Sequence, residues 1–231
     1  MVVIGRVVRV VVAACAVAAF AGCSSDDPPA PDGGVISKDA MQNALLKAAD
    51  VGPTWKTPGE SAAPNQLVSI CGADTPPVAI PGSPEIVSAP LSDEGAEGVQ
   101  SLTQNALVYE DTVSAATALA ALRTVADACV PSVSQPAKSG DREEPAYTET
   151  TSTAPLEQDA WTGFVTVRNK QYDKAHAATA DVAVAALARG NVLLVDQYAI
   201  YRLGKSSASA NPQFSADWQK LVGTTLKRVD Q

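Results

Sequence analysis

The chain has 231 residues, of which 46% are hydrophobic and 18% are charged, and its formal net charge at pH 7 is −8. An acidic chain repels phosphate backbones and lacks the basic surface that gives proteins non-specific affinity for nucleic acids, so we expect no nucleic-acid partner. The only long apolar run lies at the N-terminus, which argues against a protein with several membrane spans. We therefore expect one exported globular domain.

Residues 1–22 have the pattern of an export signal. Two arginines precede an uncharged apolar stretch at residues 10–21, which is shorter than the roughly 20 residues that span a bilayer and suits the apolar region of a signal peptide. Residues 20–23 (FAGC) then resemble the lipobox of bacterial lipoproteins, although Phe20 stands where an aliphatic residue is usual. The resemblance implies that Cys23 becomes the first residue and carries the lipid (palmitate) anchor. The alternative is an ordinary secretory signal with an incidental cysteine.

The same interpretation divides the rest of the chain. Residues 23–36 are rich in Ser, Asp, Pro and Gly, which is typical of a flexible tether. Residues 37–231 are long enough for a single domain with a substantial core. We expect this domain on the outer face of the cytoplasmic membrane, held there by the lipid anchor.

The four cysteines also fit an exported protein. Cys15 leaves with the signal and Cys23 takes the lipid, so Cys71 and Cys129 remain. Two cysteines in an exported chain favour a disulfide, and two buried free thiols are the alternative. In the chain-entropy model a bridge that closes a loop of about 58 residues stabilises the fold by roughly 4 kcal/mol.

The first half of the domain combines helix and strand patterns. Ser37 is a favourable N-cap, and Gly52 and Pro53 end the helix that follows it. A long stretch rich in Pro, Gly and Ser predicts loop with at most short strands. The expected elements are a helix at 37–52, loop at 56–97 with short strands at most near 68–70 and 86–87, a strand at 99–110 and a helix at 112–129.

The second half is rich in β-forming residues. The expected elements are an edge strand or loop at 147–153, a strand at 161–167, a β-hairpin of 176–188 and 192–203, and an amphipathic helix at 212–229. The Ala-rich residues 176–188 could form a helix by propensity, but the short turn at 189–191 leaves little room for one to repack. We therefore predict an α+β fold, a central antiparallel β-sheet flanked by helices in a single domain.

Several short motifs carry a resemblance to a known family. They are the segment Leu45–Gly52 (LLKAADVG), Cys71 in the following loop, Tyr109 before the Ala-rich helix that ends at Cys129, and Arg189–Val192 (RGNV) in the late hairpin. Together with the closing helix, they resemble the extracellular sensor domain of PknH-type mycobacterial serine/threonine kinases and of many actinobacterial lipoproteins. The resemblance implies a sheet with a cleft for a small ligand. Members of this family commonly have two disulfides, whereas this chain has cysteines for one.

Groups suited to catalysis are scarce in this sequence. His176 is the single histidine of the chain, and no nucleophile motif accompanies it. One His and two paired Cys cannot build a zinc site. We therefore expect no catalytic residues, no metal and no cofactor, and a non-enzymatic sensor or binding domain for a small molecule or a cell-envelope protein. The alternatives are a lipid or glycolipid carrier and, less favoured by the motifs, a cell-envelope hydrolase.

Asp196 is the residue that suggests where a ligand would bind. It interrupts an otherwise apolar strand, so it either faces solvent or is buried at a desolvation cost that indicates a site. Tyr198 and Tyr201 follow it, and Trp161 lies on a neighbouring predicted strand. These four residues predict a polar and aromatic ligand-binding patch on the sheet, and the alternative is an outward-facing Asp196 among core aromatics.

Overall fold

The structure is a computed structural model, and it describes residues 34–58, 67–72, 75–95, 98–139, 143–203 and 212–229. The predicted export signal, Cys23 and nearly all of the predicted tether lie outside these residues. Among the helices that the structure does describe, none is both long and apolar enough to cross a bilayer.

One antiparallel β-sheet forms the centre of the domain. Its strands are β1 (Glu85–Gly95), β2 (Gly98–Val108), β3 (Ser132–Gln135), β4 (Tyr147–Gln158), β5 (Trp161–Tyr172), β6 (Ala178–Arg189) and β7 (Val192–Leu203). The described strands pair in the order β1-β2-β7-β6-β5-β4-β3. The C-terminal hairpin of β6 and β7 therefore lies in the middle of the sheet, and the two edges are β1 and the short β3.

Four helices accompany the sheet within the described residues. They are α1 (Lys38–Ala44), α2 (Ala48–Val51), α3 (Thr112–Asp127) and α4 (Pro212–Arg228). The prediction of an antiparallel sheet with helices in one domain is confirmed. Strand residues outnumber helix residues, so the α+β description fits only loosely.

The helices cover different faces of the sheet and create two apolar clusters. On what we call the α4 face, Trp161 of β5 and Phe214 of α4 belong to one cluster, and both are fully buried. On the opposite α3 face, Phe164 of β5 and Leu122 of α3 belong to the other. Because successive strand residues point to opposite faces, odd-numbered β5 residues face α4 and even-numbered ones face α3.

The predicted hairpin is confirmed as β6 and β7, so the Ala-rich segment is a strand and not a helix. Gly190 in its turn has φ of 55°, a left-handed conformation that glycine adopts without steric cost. The next residue, Asn191, is 2% exposed and donates from Nδ2 to the carbonyl oxygen of Tyr109 at 2.8 Å. Its Oδ1 accepts from the backbone N–H of Ile36 at 2.8 Å. The turn therefore holds the chain entry to α1 against the end of β2.

Two local predictions are wrong. The sequence predicts loop here with at most a short strand near 86–87, whereas residues 85–95 form the full strand β1, which pairs with β2 along its whole length. Pairing of this kind is made by the backbone, so Ser and Pro side chains at a sheet edge do not prevent it. The single helix expected at 37–52 is two helices, because Leu45 and Leu46 leave the helix and bury their side chains.

Candidate functional site: a cleft beside the disulfide

The predicted disulfide is confirmed. Cys71 and Cys129 are bonded, with their Cα atoms 5.0 Å apart. The bond fastens the segment 67–72 to the chain just after α3, and Leu67 and Ile70 of that segment are buried against the α3 face. The disulfide therefore fixes the position of a loop that has no regular secondary structure of its own.

A cleft of about 170 Å³ lies directly against this disulfide. Ala128, Val130 and Val133 supply apolar side chains to its wall, and Tyr147 and Glu149 of β4 supply polar ones. Val130 is 61% exposed and Val133 is 36% exposed. The cleft is therefore open to solvent at an apolar rim formed by the end of α3 and the edge strand β3.

Glu149 is the charged member among the described lining residues of this cleft. Its side chain is 7% exposed and its Oε1 lies 3.5 Å from Nη1 of Arg168. Within the described residues no hydrogen bond reaches the second oxygen, Oε2. A buried carboxylate is stabilised by counter-charges and hydrogen-bond donors. Oε2 of Glu149 can therefore accept a hydrogen bond from a ligand in the cleft.

Arg168 lies beneath Glu149 on the α3 face of the sheet. Burial lowers the pKa of its guanidinium from the usual range, and the charge of Glu149 opposes that change. Its Nε is buried and has no hydrogen-bond partner in the described part of the chain. Both side chains of the Glu149–Arg168 ion pair are therefore largely shielded from water, and the two charges are 3.5 Å apart.

A row of aromatic rings, Tyr147, Tyr172 and Tyr201, continues from the cleft across the α3 face. The rings of Tyr147 and Tyr172 are 5.7 Å apart between centroids, and those of Tyr172 and Tyr201 are 6.0 Å apart, edge to face. Nζ of Lys170 lies 3.7 Å from the centroid of Tyr147 and 2.7 Å from Oε1 of Glu144. Burial and the hydrogen bond to Glu144 raise the pKa of Tyr172 above its usual range.

The four residues predicted to form one ligand-binding patch are not brought together. Trp161, Asp196 and Tyr198 belong to the α4 face, whereas Tyr201 belongs to the aromatic row on the α3 face. Trp161 is fully buried in the core, and its Nε1 has no hydrogen-bond partner among the described residues. Its position is that of a core residue.

Tyr198 contacts helix α4 and borders a different cavity. Its ring stacks on Phe214 with centroids 5.6 Å apart, and its hydroxyl donates to Oε1 of Gln100 at 2.9 Å. Burial and the nearby charge of Asp217 raise its pKa above the usual range. This second cavity measures about 200 Å³ and also includes Trp55 and Asp217. Tyr198 is thus the predicted residue that borders a cavity on the α4 face.

Asp196 is 2% exposed, so the alternative that it faces solvent is wrong. Its Oδ2 accepts from Nε2 of Gln104 at 2.5 Å, and the same Nε2 lies 2.9 Å from Oγ1 of Thr225 in α4. Oε1 of Gln104 accepts from the backbone N–H of Leu46 at 2.8 Å. Burial raises the pKa of Asp196 to about 7, against the Gln104 hydrogen bond, which lowers it. These contacts make Asp196 part of a buried polar junction between the sheet, α4 and the α1–α2 connection.

The described residues offer little for metal or acid–base chemistry. Among them, no group of three or more His, Cys, Asp or Glu side chains is arranged to hold a metal ion. His176 is exposed and pairs with Asp173, with Nδ1 and Oδ1 2.9 Å apart.

Sequence reasoning predicts the two cysteines that line this cleft but not its polar residues or the cations beside them. Glu149, Arg168 and Lys170 were not singled out, and Tyr147 was noted only as the start of an uncertain strand. A signal was present, because Arg168 and Lys170 are charged residues at alternate positions of a strand that otherwise buries large apolar side chains. Alternation places both on one face of the sheet. Their pairing with Glu149 depends on the β4–β5 register and is not visible in the sequence.

Comparison with known proteins does not assign the chain to a family. No protein-family model matches it, and no curated protein is significantly similar to it in sequence. The resemblance to PknH-type sensor domains therefore stays a prediction that rests on the motifs named above. Of these motifs, the RGNV segment forms the β6–β7 turn.

Proposed function

We propose that this protein is a lipid-anchored, extracytoplasmic binding or sensing domain without enzymatic activity. Its ligand is a small molecule that occupies the cleft beside the Cys71–Cys129 disulfide. The observation that carries the proposal is the side chain of Glu149, which is buried in an apolar cleft with one carboxylate oxygen unused. Ligand sites typically combine an apolar lining with a few convergent polar groups of this kind.

The size of the cleft favours a small ligand over a lipid. Its volume of about 170 Å³ lies below the roughly 300–1,000 Å³ of sites for drug-sized ligands. The two sheet faces are filled by the side chains of the two apolar clusters. A binding site for one ring or a short chain fits these dimensions better than a carrier of long acyl chains.

The wall of the cleft is held in place before any ligand arrives. The disulfide fixes one side, and the β3–β4 ladder fixes the other through the pairs Val133–Glu149 and Gln135–Tyr147. A preformed site binds more tightly because less conformational entropy is lost on binding. The rigidity of the walls therefore supports a binding role.

The disulfide also supports the proposed address. Structural disulfides persist in oxidising compartments outside the cytoplasm. An export signal followed by a lipidated Cys23 would deliver the domain to such a compartment. The lipobox and the disulfide thus support the same extracytoplasmic location.

Thermal unfolding of the full lipoprotein tests the binding role. The protein is purified in detergent. The midpoint temperature of its unfolding is then measured with and without the low-molecular-weight fraction of a digested cell envelope. A ligand that binds only the folded state raises the midpoint. We expect a rise for the wild type and none for Val133→Trp, which fills the rim of the cleft.

Val35→Trp is the matched control, since Val35 is 81% exposed, and it should behave as the wild type. Equal behaviour of all three proteins would contradict the cleft as the site, and release of long-chain lipid on extraction would favour a carrier.

A further inference from the structure

The charges around the cleft beside the disulfide are distributed unevenly. Glu149 is the charged residue among the described lining. Arg168 contacts Glu149 at 3.5 Å and Lys170 pairs with Glu144, and neither cation belongs to that described lining. A ligand in the cleft therefore meets a carboxylate before it meets either cation.

Neither cation neutralises Glu149 fully. Strong charge-assisted hydrogen bonds have heavy-atom distances of about 2.7–2.9 Å, whereas Nη1 of Arg168 lies 3.5 Å from Oε1 of Glu149. Lys170 makes its short contact with Glu144, at 2.7 Å, and its Nζ lies over the Tyr147 ring. Oε2 of Glu149 keeps its capacity to accept a hydrogen bond from a positively charged donor.

The rest of the cleft suits an apolar group of limited size. Its apolar lining comes from Ala128, Val130 and Val133, beside the disulfide. A cavity of about 150 Å³ is enough to hold a benzene ring, and this cleft measures about 170 Å³. One ring or a short branched chain would place its polar end near Glu149 and its body against the valines.

We propose that the cleft binds small amphiphilic amines, with the protonated amine paired to Oε2 of Glu149 and the apolar body against Val130 and Val133. This inference rests on the proposed function and specifies the ligand class for the same cleft. Small carboxylates are excluded by the same arrangement, because their charge repels Glu149.

Three probes that share one ring test the ligand class. Benzylamine is cationic, benzyl alcohol is neutral and benzoate is anionic. Each is titrated into the full lipoprotein in neutral detergent micelles, and amide NMR shifts of Gly72, Val133 and Glu149 report occupancy of the cleft. We expect benzylamine to bind about tenfold more tightly than benzyl alcohol, since a hydrogen bond between charged partners is the stronger one. Benzoate should leave these amides unshifted, and added salt should weaken the binding of benzylamine alone.

Glu149→Gln keeps the shape of the side chain and removes its charge. We expect it to bind benzylamine about tenfold more weakly and benzyl alcohol nearly as before. Glu157→Gln is the matched control, because Glu157 lies exposed on the same strand β4 and is not among the described lining residues. Unchanged benzylamine binding in Glu149→Gln would overturn the proposal.

A second pair of variants covers the case in which Glu149→Gln leaves Arg168 unpaired and fails to fold. Val133→Lys and Val133→Glu place opposite charges at an exposed rim position and leave the Glu149–Arg168 pair intact. We expect Val133→Lys to weaken benzylamine binding and Val133→Glu to strengthen it. The reverse order would contradict an amine site.

The results also separate this inference from the proposed function. If benzyl alcohol or benzoate shifts the cleft amides at least as strongly as benzylamine, the cleft binds ligands but the amine class is wrong. If none of the three probes shifts them, both the amine class and the cleft as a small-molecule site are contradicted.

Discussion

Tyr198 and Tyr201 are three positions apart on β7 and lie on opposite faces of the sheet. Tyr198 stacks on Phe214 of α4, with interplanar angle 14°. Tyr201 instead meets Tyr172 edge to face at 6.0 Å. One tyrosine thus belongs to the packing of a helix, and the other belongs to the aromatic row that leads to the cleft.

The Tyr198–Phe214 contact should stabilise the fold more than the Tyr172–Tyr201 contact does. Phe214 is fully buried, so Phe214→Ala should lower the free energy of unfolding by about 3–5 kcal/mol, the range for large aromatic truncations in cores. Tyr201→Ala removes a half-buried ring and should cost clearly less. Urea unfolding of the two variants provides the measurement, and a larger loss for Tyr201→Ala would contradict the greater contribution of the Phe214 contact to stability.

The buried carboxyl of Asp196 should make the fold less stable as the pH rises. Its pKa rises from 3.8 to about 7 on folding because it is buried. Between these values the folded state binds the extra proton, so stability from this group is fully present below pH 4 and is lost as the pH rises through about 7. Its strand partners Gln104 and Ala185 and its helix neighbour Thr225 are uncharged, so no nearby counter-charge in these elements reverses the sign.

Asp196→Asn tests this prediction because an amide does not titrate. The free energy of unfolding of the variant minus that of the wild type should rise between pH 4.5 and 7.5 by an amount on the order of a few kcal/mol. Urea unfolding across this range gives the difference. The Asp50–Arg228 pair does not interfere, since it holds the pKa of Asp50 at about 2, and Asp50→Asn should show no such rise. A flat difference for Asp196→Asn would mean that Asp196 titrates normally in the fold.

The disulfide should contribute both stability and cleft geometry. Replacing both Cys71 and Cys129 by Ser removes a covalent link with a sequence separation of 58 and should cost about 2–5 kcal/mol. Because the bond also forms one wall of the cleft, the Ser pair should bind benzylamine more weakly at a temperature where it is still folded. Circular dichroism and NMR titration check the two effects, and a stable variant with unaltered binding would assign the disulfide no role in the site.

Local patterns predicted the elements whose signals lie within a few residues. The β6–β7 hairpin, α3 and α4 could be predicted because a turn, a cap or an apolar stripe encodes each of them. The helix break at Leu45 and Leu46 could not, because it depends on Gln104, which is 58 positions away in the chain. Strand β1 was missed since its pairing is made by backbone groups that the side chains do not indicate.

The candidate site was predicted less well, and the reasons are physical. Strand alternation alone separates Tyr198 from Tyr201, so treating them as one patch overlooked a signal in the sequence. The burial of Asp196 depends on helix α4 covering it, through Thr225. The cleft is formed by the disulfide together with the β3–β4 register. Its lining residues cannot be identified from the sequence, because the register of these two strands is not encoded in a local pattern.

The lipid anchor is tested by labelling. Cells given labelled palmitate should incorporate it into the wild type and not into Cys23→Ala, because Cys23 supplies the thiol that accepts the lipid. Cys15→Ala is the matched control, as Cys15 lies within the apolar part of the predicted signal, and it should be labelled normally. Equal labelling of Cys23→Ala and the wild type would place the lipid elsewhere or exclude it.

In the proposed function, the cleft beside Cys71 and Cys129 holds a small molecule. Native mass spectrometry of the protein isolated from its own cell envelope tests this most directly, by comparing the wild type with Val133→Trp. We expect the wild type to carry an extra mass of one small molecule per chain and Val133→Trp to carry none. The same bound mass on both proteins, or on neither at saturating envelope extract, would contradict it.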